Sequence, residues 1–436
     1  MKIKHENAEI PAERAYINTT IIWTLDLFDN RPIILPIQVA GYKFNFLWPL
    51  KEDASILSRL VNNICLGVSV LCYIGTILGE FTFIGENIGD IPAVAECLCT
   101  SFMGVQYIIR IFVLLSRQRA LRKLLRNFYR DIYFTHADDA ALCKEINSII
   151  RFMNIFTQFY YTPMVLILAL YVYDVASVGL ASPDKPFIYR MSFRWYDAQV
   201  PLQFIITAIY SGWLTISCVT IWTAEDYTLC LVLCHASFRY KKLRLDLQQL
   251  LEMARADLKG GETPCTNQNL HTAFRRRLCE IFRRQQRLNG FVVEAKAHFT
   301  HQIFYIMSFG VLLLCVVSFQ FQSGPITVAS SKYISWLISQ TAQFLLIGYF
   351  GQMLMDETTE LRNSFYCCRW EDLLVLGDPR SNKLLLGDVQ FAIMNSQEPI
   401  VFDGMKFFPL TYSTVSAALR SAVSYFMFLN TMNGEN

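Results

Sequence analysis

The stretch HQIFYIMSFGVLLLCVVSFQFQ, His301–Gln322, decides the fold. A bilayer core of ~30 Å is crossed by roughly 20 helical residues, and this run carries no Asp, Glu, Lys or Arg. The residues before it are its opposite: thirteen Lys and Arg lie between positions 239 and 296. An apolar run abutting a dense basic one is how a membrane helix meets the cytoplasm.

Working outward, six more stretches read the same way: Leu60–Ile84, Ile91–Leu115, Phe152–Leu180, Val200–Val232, Tyr333–Met355 and Phe407–Met432. They must be helices, because lipid offers backbone groups no partner. None alternates with period two over ten residues, as a barrel strand does. Composition agrees: 53% of the chain is hydrophobic and 17% charged, against about 25% charged in a soluble domain. A net charge of +3 excludes a nucleic-acid partner. The expected class is all-α, a polytopic membrane protein with seven transmembrane helices.

Basic residues set the orientation. Seven precede the first span, eight lie between the second and third, thirteen between the fourth and fifth, and five follow the sixth. Only Lys185, Arg190, Arg194 and Lys332 fall on the other side, with Arg110 and Arg420 inside spans. The positive-inside rule places the amino terminus in the cytoplasm and the carboxyl terminus outside. Met1–Glu13 is polar, so insertion is expected to start from the first internal span. The outer loops 85–90, 181–199 and 323–332 lack cysteine, so no outer disulfide is expected. The sequon Asn18-Thr19-Thr20 falls on the cytoplasmic side and should carry no glycan.

The inner connections are too long for simple links. Ser237–Met253 has an amphipathic helical pattern that extends span 4, broken at Gly260-Gly261-Glu262-Thr263-Pro264. Leu278–Val293 reads as a helix leading into span 5, and Glu360–Leu374 and Leu384–Asn395 read as further helices. Together they are expected to form an intracellular domain or a subunit interface. No internal repeat appears, which counts against inverted-repeat transporters.

Nothing points to an enzyme or a cofactor. P-loop, G-x-S-x-G and G-x-G-x-x-G motifs are absent, and His298 and His301 form too small a cluster for a metal. Arg110 is expected to snorkel inward. Glu80 and Asp174 sit near the outer ends of spans 1 and 3, where a charge is tolerable but suspect. The outer halves of spans 2 to 6 offer Phe102, Met103, Tyr107, Tyr171, Tyr173, Phe204, Tyr210, Phe309, Trp336, Gln340 and Phe344. Such residues line a small apolar pocket, or they form an interfacial belt and ordinary helix packing. Span 7 is rich in Ser, Thr and Ala, and Phe428, Thr431 and Met432 share a face. It reads equally as a dewetting pore gate or as a close-packed buried helix.

The last third of the chain resembles insect odorant receptors. The shared marks are Asn395-Ser396-Gln397-Glu398-Pro399, Gly404-Met405-Lys406-Phe407-Phe408 and Leu419-Arg420-Ser421-Ala422-Val423-Ser424-Tyr425-Phe426. Trp48-Pro49, Trp195-Tyr196-Asp197 and Ser364-x-Tyr366-x-x-x-Trp370 add to them. The resemblance implies an odorant-gated nonselective cation channel subunit at the plasma membrane of a sensory neuron dendrite. Four subunits would surround one pore. A tuning subunit would bind a small volatile odorant, sit in lipid and assemble with a co-receptor; the long co-receptor insertion between spans 4 and 5 is missing here. By the same resemblance, Phe428, Thr431 and Met432 would face the pore. The chain then divides into a cytoplasmic segment (1–59), spans 1–6 with the ligand bundle (60–355), cytoplasmic anchor helices (356–406) and pore helix 7 with an outer tail (407–436). The nearest alternative is a gustatory receptor-like channel, whose Thr-Tyr-x-x-x-x-x-Gln-Phe ending is absent. A G-protein-coupled receptor needs the reverse orientation.

Overall fold

The computed structural model describes residues 23–25, 33–35, 39–48, 55–174, 189–193, 197, 200–259, 266–323 and 331–434. Outside these lie the Asn18 sequon, Pro49, Trp195, Tyr196, the break at 260–264 and most of the loops 181–199 and 323–332.

The chain opens with a short antiparallel pair, β1 (Trp23–Leu25) and β2 (Ile33–Leu35). The single turn α1 (Ala40–Phe44) follows, then α2 (Ile56–Glu86) and α3 (Ile91–Ser116). Ser55 caps α2 by accepting from the Ser58 amide at 3.2 Å. Asp90 caps α3 by accepting from Ala93 at 3.1 Å. In each case a side-chain oxygen satisfies an orphan first-turn donor. The short α4 (Gln118–Asn127) continues through a π-helical turn, Phe128–Ile132, to α5 (Ala140–Asp174). Next come α6 (Pro201–Gln248), α7 (Leu250–Lys259), α8 (Asn267–Ser323), α9 (Ser331–Tyr366), α10 (Glu371–Leu374) and α11 (Pro379–Met394). The hairpin β3 (Asp403–Gly404) and β4 (Phe408–Pro409) leads into α12 (Tyr412–Gly434).

Each of the seven predicted spans falls on a separate helix: α2, α3, α5, α6, α8, α9 and α12. Among the described residues, α2, α3, α6 and α8 contain windows long and apolar enough to cross a membrane. α2 leaves Leu57, Leu71 and Phe81 more than half exposed. Large apolar side chains arrayed outward along a whole helix need lipid or a neighbouring protein against them.

Two boundaries differ from the sequence reading. Span 7 was expected from Phe407, but Phe408-Pro409 pairs as β4 with β3 and the helix starts at Tyr412. Pro409 has no amide proton to continue a helix ladder, and Leu410 instead donates to Phe402 O at 2.7 Å. Glu360–Leu374 is not one helix: its first part ends α9 at Tyr366 and its last residues form α10, whereas Leu278–Val293 leads into span 5 as expected, within the 57 residues of α8.

At 1.5 Å per residue α6 is ~70 Å long and α8 ~85 Å, more than twice the hydrocarbon core of a bilayer. Their extensions pack with α7, α10, α11 and the end of α9 around Leu247, Leu250, Phe274, Leu278, Phe365 and Leu385, all buried. Ion pairs stitch the surface: Arg244–Glu357 at 3.0 Å, Arg275–Asp388 at 2.7 Å and Arg277–Asp257 at 2.5 Å. The hydrogen bond from Arg277, joined by one from Arg276, holds the Asp257 carboxyl down to about 2. Inside, the His271 ring meets Leu373 O at 2.6 Å and Gln285 Nε2 donates to Ser396 Oγ at 2.8 Å.

Candidate ligand site and ion path

At the end of the bundle away from these extensions, α3, α8 and α9 bring aromatic side chains together. Phe102 of α3 meets Phe309 of α8 edge-on, ring centroids 6.4 Å apart. Cys99, Leu313, Val317 and Tyr333 form a buried cluster against which Met103 and Trp336 pack. Gln340 is buried one turn further along α9. α8 and α9 approach closely because Gly310 leaves room: a Cβ there would lie 2.5 Å from the Phe344 ring and 2.8 Å from the Gln340 amide. Six of the residues singled out in the sequence (Phe102, Met103, Phe309, Trp336, Gln340 and Phe344) thus share one three-helix junction.

The others lie elsewhere. Tyr107 is fully buried, stacked on Tyr73 at 3.9 Å, and donates to Asn45 Oδ1 at 3.1 Å. Tyr73 in turn donates to the Leu214 carbonyl. This stack ties α3 to α1, α2 and α6. Phe204 is fully buried in the first turn of α6, and the Tyr210 hydroxyl meets Met191 Sδ at 3.5 Å. Tyr173 points outward, 68% exposed. The side chains of Tyr171 and Asp174, on the last turn of α5, lie outside the described residues.

Deeper in the bundle is a buried polar chain the sequence reading missed. Arg110 was expected to snorkel. Instead it is 1% exposed and donates to Glu225 Oε2 at 2.6 Å, with Asp226 Oδ1 at 3.7 Å. Asp226 also accepts from Gln302 Nε2 at 3.1 Å and from Gln343 Nε2. Gln340 Nε2 donates to Gln343 Oε1 at 2.6 Å. Arg110 lies over the Trp222 ring, 5.3 Å from its centroid. One chain of contacts therefore runs from α3 through α6 to α8 and α9 and ends on the residue that floors the aromatic junction. A cleft with room for about one water opens beside it, lined by Thr157, Thr223, Asp226 and Gln343. The signal was present in the sequence: Glu225-Asp226 is an adjacent acidic pair inside a span, and intramembrane charges seek partners. Glu80 is likewise buried, accepting from Ser101 Oγ at 2.9 Å.

α12 packs on α8 and α9 through a narrow stripe, with Val415, Ala418 and Ala422 buried. Gly348 and Gly351 of α9 make room: added Cβ atoms would lie 2.6 Å from Val415 Cγ2 and 2.4 Å from Leu410 O. Small residues facing one another let membrane helices approach closely. Other described side chains of α12 are exposed, among them Val423, Tyr425, Met427 and Phe428. Thr431 is exposed and its hydroxyl donates to Met427 O at 3.0 Å. The Met432 side chain lies outside the described residues. Among the described residues no group of His, Cys, Asp and Glu is placed to hold a metal ion, and the cysteines are free thiols. His298 is buried and His301 half-buried at the foot of the apolar run of α8.

The family profile described as 7tm Odorant receptor matches residues 90–423. Odorant receptor 13a of Drosophila melanogaster is 24% identical over 419 residues, 93% of this chain and 97% of that one. A shorter stretch of 104 residues is 27% identical to the odorant receptor coreceptor of Harpegnathos saltator, spanning 24% of this chain and 20% of that one. Among solved structures, the insect olfactory receptor OR5 of Machilis hrabei in complex with eugenol superimposes with a TM-score of 0.70 at 14% identity, covering 91% of this chain and 97% of that one.

Proposed function

This chain belongs to the 7tm odorant receptor family, and from that premise we propose that it is a tuning subunit, binding a volatile ligand at the α3–α8–α9 junction and lining a cation path with α12. It is a receptor of the ligand-gated channel type, not an enzyme. The observation that carries the reading is the match of both family profile and fold over most of the chain. The relative solved with eugenol supports a small, largely apolar ligand with one polar handle. The stretch shared with a coreceptor supports a heteromer with that kind of partner, the exposed face of α12 meeting its neighbours around the pore. The extensions of α6 and α8 would form the cytoplasmic anchor, with the amino terminus inside and the carboxyl terminus outside.

The mechanism follows from the packing. Phe102 and Phe309 already touch, so a ligand enters by parting α3 from α8. Burying roughly 300 Å² of apolar ligand surface gains about 7 kcal/mol, and association takes back several kcal/mol. Affinity is therefore micromolar or weaker. Gating requires that the ligand favour the open packing, since equal binding to both states shifts nothing. The polar chain from Gln340 to Arg110 carries a displacement of α9 to α3, α6 and α8, and the glycine contacts of α9 carry it to α12.

Phe102→Ala and Trp336→Ala, each co-expressed with a co-receptor, test the site. The rank order of odorant responses should change while current evoked by a co-receptor agonist stays at the wild-type level. Unchanged odour tuning in both variants would defeat the assignment.

A further inference from the structure

α4 follows α3 after a single residue, Arg117. The last turns of α3 leave Phe112 71% and Leu115 40% exposed, an apolar surface that calls for lipid. α4 then changes character. Leu121, Leu124 and Leu125 are buried and fix one face of the helix to the body of the protein, where it packs on α8. The opposite face presents Arg119, Lys123 and Arg126 outward with Arg122 half-buried between them, and Arg130 extends the row on the π-helical turn. Residues 117–130 hold six basic side chains and no carboxylate.

Among the described residues, carboxylates of Glu294 and Asp131 reach this row from outside it. Glu294 of α8 meets Lys123 Nζ at 2.6 Å, and Asp131 meets Arg130 Nη2 at 2.8 Å. The positive-inside rule accounts for basic residues on this side of the membrane, but not for a row without acidic residues that starts where the lipid-facing surface of α3 stops. Six basic side chains within fourteen residues of sequence make a dense basic segment, and a cluster of four to eight basic residues beside a membrane helix attracts anionic lipid.

We propose that the basic row of α4 binds the polyanionic headgroups of lipids in the adjoining leaflet, phosphoinositides above all. The inference rests on the proposed topology, which puts α4 at the cytoplasmic leaflet. Arginine matches phosphate oxygens with paired donors, and the buried leucines hold the row in place.

Native mass spectrometry of the purified full-length chain tests it, with short-chain phosphatidylinositol bisphosphate as probe, phosphatidylcholine as neutral control and inositol trisphosphate as free headgroup. The wild type should retain the probe lipid at least tenfold better than the variant carrying Arg119→Gln, Arg122→Gln, Lys123→Gln and Arg126→Gln. It should retain little phosphatidylcholine and bind the free headgroup more weakly than the lipid. A second variant, Arg119→Lys, Arg122→Lys and Arg126→Lys, keeps the charge and should keep most of the binding even if neutralisation harms folding. Equal retention by the neutralised variant, loss of the lipid from the lysine variant, or a free headgroup that binds as tightly as the lipid would each overturn the proposal. The readout needs neither odorant nor current, so its failure is separate from failure of the receptor reading.

Discussion

Arg110 shows what a single residue contributes and how it misleads. In the sequence it is one cation inside a span; in the fold it is a buried partner of Glu225 and Asp226. Removing one member of a buried pair leaves an uncompensated charge, at a cost of about 3–5 kcal/mol. Arg110→Ala should therefore lower the melting temperature in detergent sharply and reduce surface expression. Arg110→Met with Glu225→Gln should recover much of the loss, and a double variant as damaged as the two single changes added together would contradict the coupling. The aromatic residues were legible because they cluster in the outer halves of spans. Their partition between the α3–α8–α9 junction and the Tyr73–Tyr107 stack was not, since it depends on the rotation of each helix. Asp403 gives a pH-dependent case. Burial alone would push its carboxyl up, but the bonds from Lys296 Nζ, at 2.5 Å, and the Lys406 amide outweigh it and hold it below the usual range. A lowered carboxyl contributes stability that is complete above its unfolded pKa of about 3.9 and is lost as pH falls through the folded value. The melting-temperature gap between wild type and Asp403→Asn should stay constant from about pH 6 to 8 and close below about pH 4. A gap that widens in acid would refute the sign.

Among the elements, α9 and α12 form the junction through which the proposed gating would pass. Gly351 faces the Leu410 backbone so closely that any side chain must push α12 away. Overpacking of this kind costs typically about 1–3 kcal/mol. Gly351→Val should leave assembly at the cell surface largely intact and depress odorant-evoked current severalfold; wild-type current at equal surface density would show that this contact is not part of the gate. The hairpin before α12 adds a constraint, because Met405 and Lys406 have φ of 52° and 67° without being glycine. Side chains rarely adopt that region unless their surroundings enforce it. Here the enforcement is visible: Met405 N donates to Thr300 Oγ1 at 2.7 Å, and Gly404 lies against the Phe304 backbone. Helices and their number were readable from apolar length. The start of α12 was not, because Phe407-Phe408-Pro409-Leu410 is apolar enough to pass for membrane and only tertiary pairing makes part of it a strand.

Over the whole molecule, the legible features were those set by the solvent: seven apolar lengths, one basic side and long helical extensions. The acidic pair Glu225-Asp226 was visible in the sequence, but its partners were not, because the chain joins residues 110, 225, 226, 302 and 343 across four helices, a pairing no local pattern encodes. The topology predicts that a tag after Asn436 is stained on intact cells and one before Met1 only after permeabilisation. If α12 borders the ion path as proposed, a cysteine on its exposed face is reached through the open pore. Thr431→Cys, co-expressed with a co-receptor and opened by a co-receptor agonist, should lose a large share of its current when an impermeant cationic methanethiosulfonate reagent is applied outside, while the wild-type assembly is unaffected. Full labelling of that cysteine with no change in current or ion selectivity would contradict the account.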